Sequence, residues 1–138
     1  MELDESIAAV LSTNPSVVAA WVFGSIARGT AREDSDLDVA ILLAPPAAAE
    51  QQRALYDLAA RLEQVAGRPV DLVVLGDHDP IIAHRVLSEG RLVLCRDRER
   101  RIDFESRIHM RYMDWAPNYE RAARRSLEVN RAWAEQRR

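Results

Sequence analysis

Apolar positions recur along this chain at two spacings, and the points where the spacing changes divide it into elements. Leu3, Ile7, Val10 and Leu11 fall on one side of a helix over residues 3–12, which Asn14-Pro15 terminates. Val17 to Phe23 is apolar at every position and rich in β-branched and aromatic residues, the pattern of a strand buried on both faces. It stops at Gly24-Ser25. From Asp36 to Leu43 the side chains alternate, with Asp36, Asp38, Ala40 and Leu42 toward one face and Leu37, Val39, Ile41 and Leu43 toward the other. Leu55, Leu58, Leu62 and Val65 mark a second amphipathic helix that ends near Gly67, with Pro69 just beyond. Val70 to Leu75 predicts a third strand, in which Asp71 shares a face with Val73 and Leu75. Residues 80–89 read as a helix stopped by Gly90, and Leu92 to Cys95 as a fourth strand at a sheet edge. From Asp97 onward the pattern is helical, with Phe104, Ile108, Tyr112 and Trp115 on one stripe. A break is expected at Pro117, and a second helical segment reaches to about Trp133.

Strands alternating with helices predict an α/β or α+β domain with a mixed sheet of about four strands flanked by helices. A chain of 138 residues fits one such domain. It parses as a core over residues 1–97 and a C-terminal helical extension over residues 98–138, packed on the core or on a partner. The longest apolar stretches are far shorter than the roughly 20 residues that span a bilayer, so no membrane segment is expected. The N-terminus, Met-Glu-Leu-Asp-Glu-Ser, is acidic where a secretory signal is basic and then apolar, which predicts a cytoplasmic protein. Cys95, the only cysteine, excludes an intrachain disulfide and reads as a small buried strand residue. With one cysteine and scattered His78, His84 and His109, the sequence contains no structural zinc ligand set.

The net charge of −3 conceals a split, because residues 1–97 hold 8 Arg against 15 acids and residues 98–138 hold 11 Arg against 7 acids. The C-terminal arm is therefore basic, open to nucleic acid or an acidic protein partner, although a solvated helix with mixed charges is the simpler account.

Carboxylates inside otherwise apolar strands carry the candidate chemistry. Such a group costs several kcal/mol in desolvation unless it is paired or bound to a cation, and here there are three: Asp36 and Asp38 on one face of one strand, and Asp71 at the start of another. If those strands are neighbours, the three side chains can converge on a pair of metal ions roughly 4 Å apart, the spacing used in two-metal phosphoryl transfer. Oxygen ligands with room for water and phosphate favour Mg²⁺. The segment Gly24-Ser25-Ile-Ala-Arg28-Gly29 supplies a second half. Gly24 lets the backbone approach a ligand, Ser25 can offer its hydroxyl and amide to a phosphate, Arg28 can add a charge-assisted contact, and Gly29 can leave the turn at positive φ.

The run from Trp21 to Ile41, containing G-S-x10-D-x-D, resembles the signature of the DNA polymerase β-type nucleotidyltransferases. Within them the chain resembles the minimal nucleotidyltransferases (MNT domains), MntA-like, that are encoded beside HEPN-domain toxins. Val70 to Leu75 resembles the third-carboxylate strand, and Arg107 to Pro117 resembles the C-terminal helix of this subgroup. The resemblance implies the nucleotidyltransferase fold and transfer of AMP from ATP to a hydroxyl, a tyrosine of the cognate HEPN ribonuclease toxin, which is silenced by the modification. Carried onto these residues, it implies that Gly24 and Ser25 hold the β and γ phosphates and that Asp36 and Asp38 bind both of two Mg²⁺ ions. Asp71 would bind the ion nearer the acceptor and help deprotonate the attacking oxygen. The partners implied are ATP and the toxin, in a homodimer or a hetero-oligomer with that toxin, with neither membrane nor nucleic acid expected. Other readings are a small-molecule transferase acting on antibiotics, an antitoxin that acts by binding alone, and an RNA-directed transferase supported only by the Arg-rich arm.

Overall fold

The computed structural model describes residues 2–32, 34–45 and 51–136, without the side chains of residues 118–120 and 122–136. The longest apolar runs form its two central strands. In chain order the elements are α1 (Glu2–Leu11), β1 (Val17–Phe23), α2 (Gly24–Arg28), β2 (Leu37–Leu43), α3 (Gln52–Ala66), β3 (Val70–Val74), α4 (Pro80–Glu89), β4 (Arg91–Cys95) and α5 (Arg98–Gln136). The sheet order is β3-β2-β1-β4. β1 pairs antiparallel with both β2 and β4, while β2 and β3 run parallel, so the expected mixed sheet of four strands is present.

Sheet position explains the burial of each strand. Every residue of β1 is buried, as its unbroken apolar run requires, because both its edges and both its faces are covered. The alternation in β2 distributes side chains to two cores. Leu37, Val39 and Ile41 pack with Ile7, Leu11, Leu58 and Leu62 of α1 and α3, whereas Ala40 and Leu42 pack with Ala83 and Val86 of α4 and Phe104 and Ile108 of α5. Helices thus cover both faces, and Asp38 belongs to the face that α4 and α5 cover.

Several expectations change. The strand over 36–43 begins at Leu37, leaving Asp36 in the preceding loop; the Leu37 amide donates to the Pro69 carbonyl at 2.9 Å. Cys95 is exposed rather than buried, because β4 is an edge strand and Cys95 is its last residue. Val65, near the C-terminal end of α3, is 44% exposed, because the face of that helix turned to the core carries Leu62 and Ala66 instead. α5 continues through Pro117 with no break. Proline there removes the amide that would bond the Met113 carbonyl, and Met113 faces outward at 61% exposure, where water can satisfy that carbonyl instead.

Ion pairs with no sequence signature fasten the layers. Arg91 of β4 grips Asp4 of α1 through two bonds of 2.9 Å. Arg96 donates to the Ser12, Asn14 and Val17 carbonyls at 3.0, 2.7 and 3.3 Å, tying β4 to the turn between α1 and β1.

Candidate active site

Strand register assembles the site. Phe23 pairs with Asp38 across β1 and β2, and Asp38 pairs with Asp71 across β2 and β3. Those three residues form one row across the sheet, and Gly24 follows at once. The chain separates Asp38 from Asp71 by more than thirty residues, but parallel pairing makes them neighbours.

Gly24 opens α2 at a φ of 73°, a conformation that L side chains rarely adopt. A β-carbon there would overlap Asp38 Oδ2 and stand 3.0 Å from its Cγ, so glycine is required by backbone angle and by space together. The aspartate carboxylate lies directly on the turn. No side chain caps the start of α2, which leaves its first amides available. The Ser25 hydroxyl makes no hydrogen bond among the described residues, while its carbonyl accepts from the Thr30 amide at 2.9 Å and fixes the exit of the turn. Gly29 closes α2 at a φ of 74° in the left-handed region, the positive φ expected of it.

Electrostatics single out Asp38. Its pKa is raised above the ordinary carboxylate value of 3.8, first by burial and then by the negative charges of Asp71 and Asp36, against smaller lowering by Arg85 and Arg28. The other two carboxylates are exposed: Asp36 precedes the strand, and Asp71 sits on an edge strand. None of the three forms an ion pair among the described residues, and no three acidic, histidine or cysteine side chains there converge closely enough to hold an ion as they stand. The donor set nevertheless fits a hard cation. It is all oxygen, it is matched by no ion pair among the described residues, and Asp36 and Asp71 are exposed.

Arg28 pairs with Glu89 Oε2 at 3.3 Å, and the same oxygen takes Arg85 Nε at 3.4 Å. Arg85 and Glu89 therefore border the site, though sequence reasoning missed both. Their four-residue spacing on a helix reveals a pair but not what it lies beside.

A glycine-serine turn thus abuts one of three carboxylates where the two central strands β1 and β2 meet it. The chain matches the family model described as polymerase beta, nucleotidyltransferase, over residues 5–99, well over half its length and spanning every site residue above; it belongs to that family. Among characterised relatives it is 30% identical over 77 residues to the protein adenylyltransferase MntA of Shewanella oneidensis, an alignment covering 56% of this chain and about half, 53%, of that relative. Its fold matches a crystal structure of a toxin-antitoxin with AMP-PNP, with a TM-score of 0.75 at 22% identity, covering 90% of this chain and 98% of that one. It also matches the structure of a tri-AMPylated Shewanella oneidensis HEPN toxin in complex with an MNT antitoxin, with a TM-score of 0.69 at 18% identity, covering 91% and 97%. At those identities the likeness speaks for the nucleotidyltransferase fold.

Proposed function

We propose that this chain is an antitoxin that transfers AMP from ATP to a tyrosine hydroxyl of a HEPN-domain ribonuclease partner and thereby neutralises it. The observation that carries the reading is the row Phe23–Asp38–Asp71, which sets the Gly24-Ser25 turn against Asp38 and puts Asp71 beside that carboxylate. The MntA relative, a protein adenylyltransferase, and the complexes of the same fold with a toxin support a protein acceptor and a HEPN partner.

In this reading Gly24 and Ser25 hold the β and γ phosphates through the uncapped amides of α2 and the Ser25 hydroxyl, with Arg28 adding charge to the same anion. Asp36, Asp38 and Asp71 would hold two Mg²⁺ ions, which when bound supply charge neutralisation of the phosphates and ease deprotonation of the acceptor. The acceptor oxygen forms a bond to the α phosphorus as the bond to the bridging oxygen breaks in line, its proton passes to the Asp71 carboxylate, and pyrophosphate leaves. The edge position of Asp71 leaves its side open to a protein acceptor.

Incubation with labelled ATP, Mg²⁺ and the HEPN protein encoded beside it tests the reading. Label on the partner, and loss of its ribonuclease activity, are expected. Absence of label with ATP, GTP, CTP and UTP in turn refutes it. Asp36→Asn and Asp38→Asn should each abolish transfer while the protein stays folded; neutralisation by the inactive variants would show instead that contact alone silences the toxin.

A further inference from the structure

Glu89 occupies a position that helix stability does not favour. It is the last residue of α4, where the helix dipole opposes negative charge, and its partner Arg85 lies four residues toward the N-terminus, the weaker orientation for such a pair. Yet a single oxygen, Oε2, sits 3.3 Å from Arg28 Nη1 and 3.4 Å from Arg85 Nε. All three side chains are more than a third exposed, so these contacts are weak and accessible. Arg28 ends the short helix that Gly24 begins against Asp38, and α2 is in contact with α4, so the cluster lies one short helix from that carboxylate.

Two guanidiniums bridged by one carboxylate oxygen form an anion site with an anion already in it. We infer that Glu89 is a built-in stand-in for the terminal phosphate of the nucleotide, and that an incoming triphosphate displaces it to take Arg28 and Arg85 for itself. A terminal phosphate brings three oxygens and more charge than one carboxylate, so it satisfies both forks better. Arg85 is then a binding residue that discriminates a triphosphate from a monophosphate, and Glu89 sets how tightly the triphosphate binds. This inference rests on the nucleotide-transfer reading above.

Titration calorimetry with AMP-PNP and with AMP, each with Mg²⁺, on the full chain and three variants tests it. Arg85→Gln should weaken AMP-PNP about tenfold and AMP less than about twofold, with Arg85→Lys between the two because it keeps charge but loses the fork. Glu89→Gln should strengthen AMP-PNP about threefold and leave AMP unchanged, at a melting temperature close to that of the parent. In turnover the Arg85 effect should appear in KM for ATP rather than kcat. Equal losses for AMP and AMP-PNP in Arg85→Gln, or unchanged AMP-PNP affinity in Glu89→Gln, would overturn the inference while leaving the proposed function intact. If the parent binds neither nucleotide, the nucleotide-transfer reading fails and this inference fails with it. Should Arg85→Gln not fold, Glu89→Gln decides alone.

Discussion

Gly24 and Asp38 constrain one another, and each can be tested separately. Gly24→Ala adds a β-carbon where the Asp38 carboxylate lies and forces a non-glycine residue to a φ of 73°. A displacement of about 1 Å in that carboxylate is enough to cost on the order of a hundredfold in transfer, so activity should collapse while circular dichroism stays near that of the parent. Asp38→Asn should raise the melting temperature of the metal-free protein at pH 7. The folded-state pKa of Asp38 is raised by burial and by Asp71 and Asp36, so its contribution to stability is fully present below 3.8 and is lost as pH rises through the folded value. The gain from Asn should therefore vanish in thermal melts at pH 3. The aspartates and the turn were legible in sequence because their residue types are costly or unusual in apolar strands. Arg85 and Glu89 were not, since charged residues on an exposed helix face are ordinary.

Among the elements, α4 and α5 meet through a stacked pair, the rings of His84 and Tyr112 lying 3.5 Å apart and 3° from parallel. His84 has its pKa lowered by burial and by the charge of His109 on α5; Ser88 and Glu105 share the same cleft. A histidine with a lowered folded-state pKa contributes stability that is fully present above 6.5 and is lost as pH falls through the folded value. The melting temperature should thus fall on acidification below pH 6.5, and His84→Gln should flatten that fall. A pH profile of the variant parallel to that of the parent would refute the assignment. Element spans were largely readable from periodicity, and α4 agrees end to end with its expected 80–89. The misread places have physical causes: the outward-facing Met113 position lets solvent take the carbonyl that Pro117 cannot bond, and an edge position exposes Cys95.

Considered whole, the molecule uses its C-terminal helix in two ways. Phe104 and Ile108 are buried against the β-sheet, so the first turns of α5 complete a core layer, while Trp115 further along the same stripe is 55% exposed. We propose that the division between a core over 1–97 and an extension over 98–138 holds in sequence but that the core does not fold well without the start of α5. Phe104→Ala should cost about 3–5 kcal/mol, read as a shift in the urea midpoint, and a chain ending at residue 97 should be less stable than one ending at 117. Equal stability of the two truncated chains would contradict this. No helix among the described residues is long and apolar enough to cross a membrane.

Periodicity and residue type sufficed for the two spacings, the buried central strands, the alternation that puts Asp38 on one face, and the glycine-serine turn, because each follows from local chain geometry and the cost of burying charge. Strand order and register lay beyond them, since which strands pair depends on how separate layers pack. Parallel pairing of β2 with β3 makes Asp71 the neighbour of Asp38, and the junction of α2 with α4 brings Arg85 and Glu89 to Arg28.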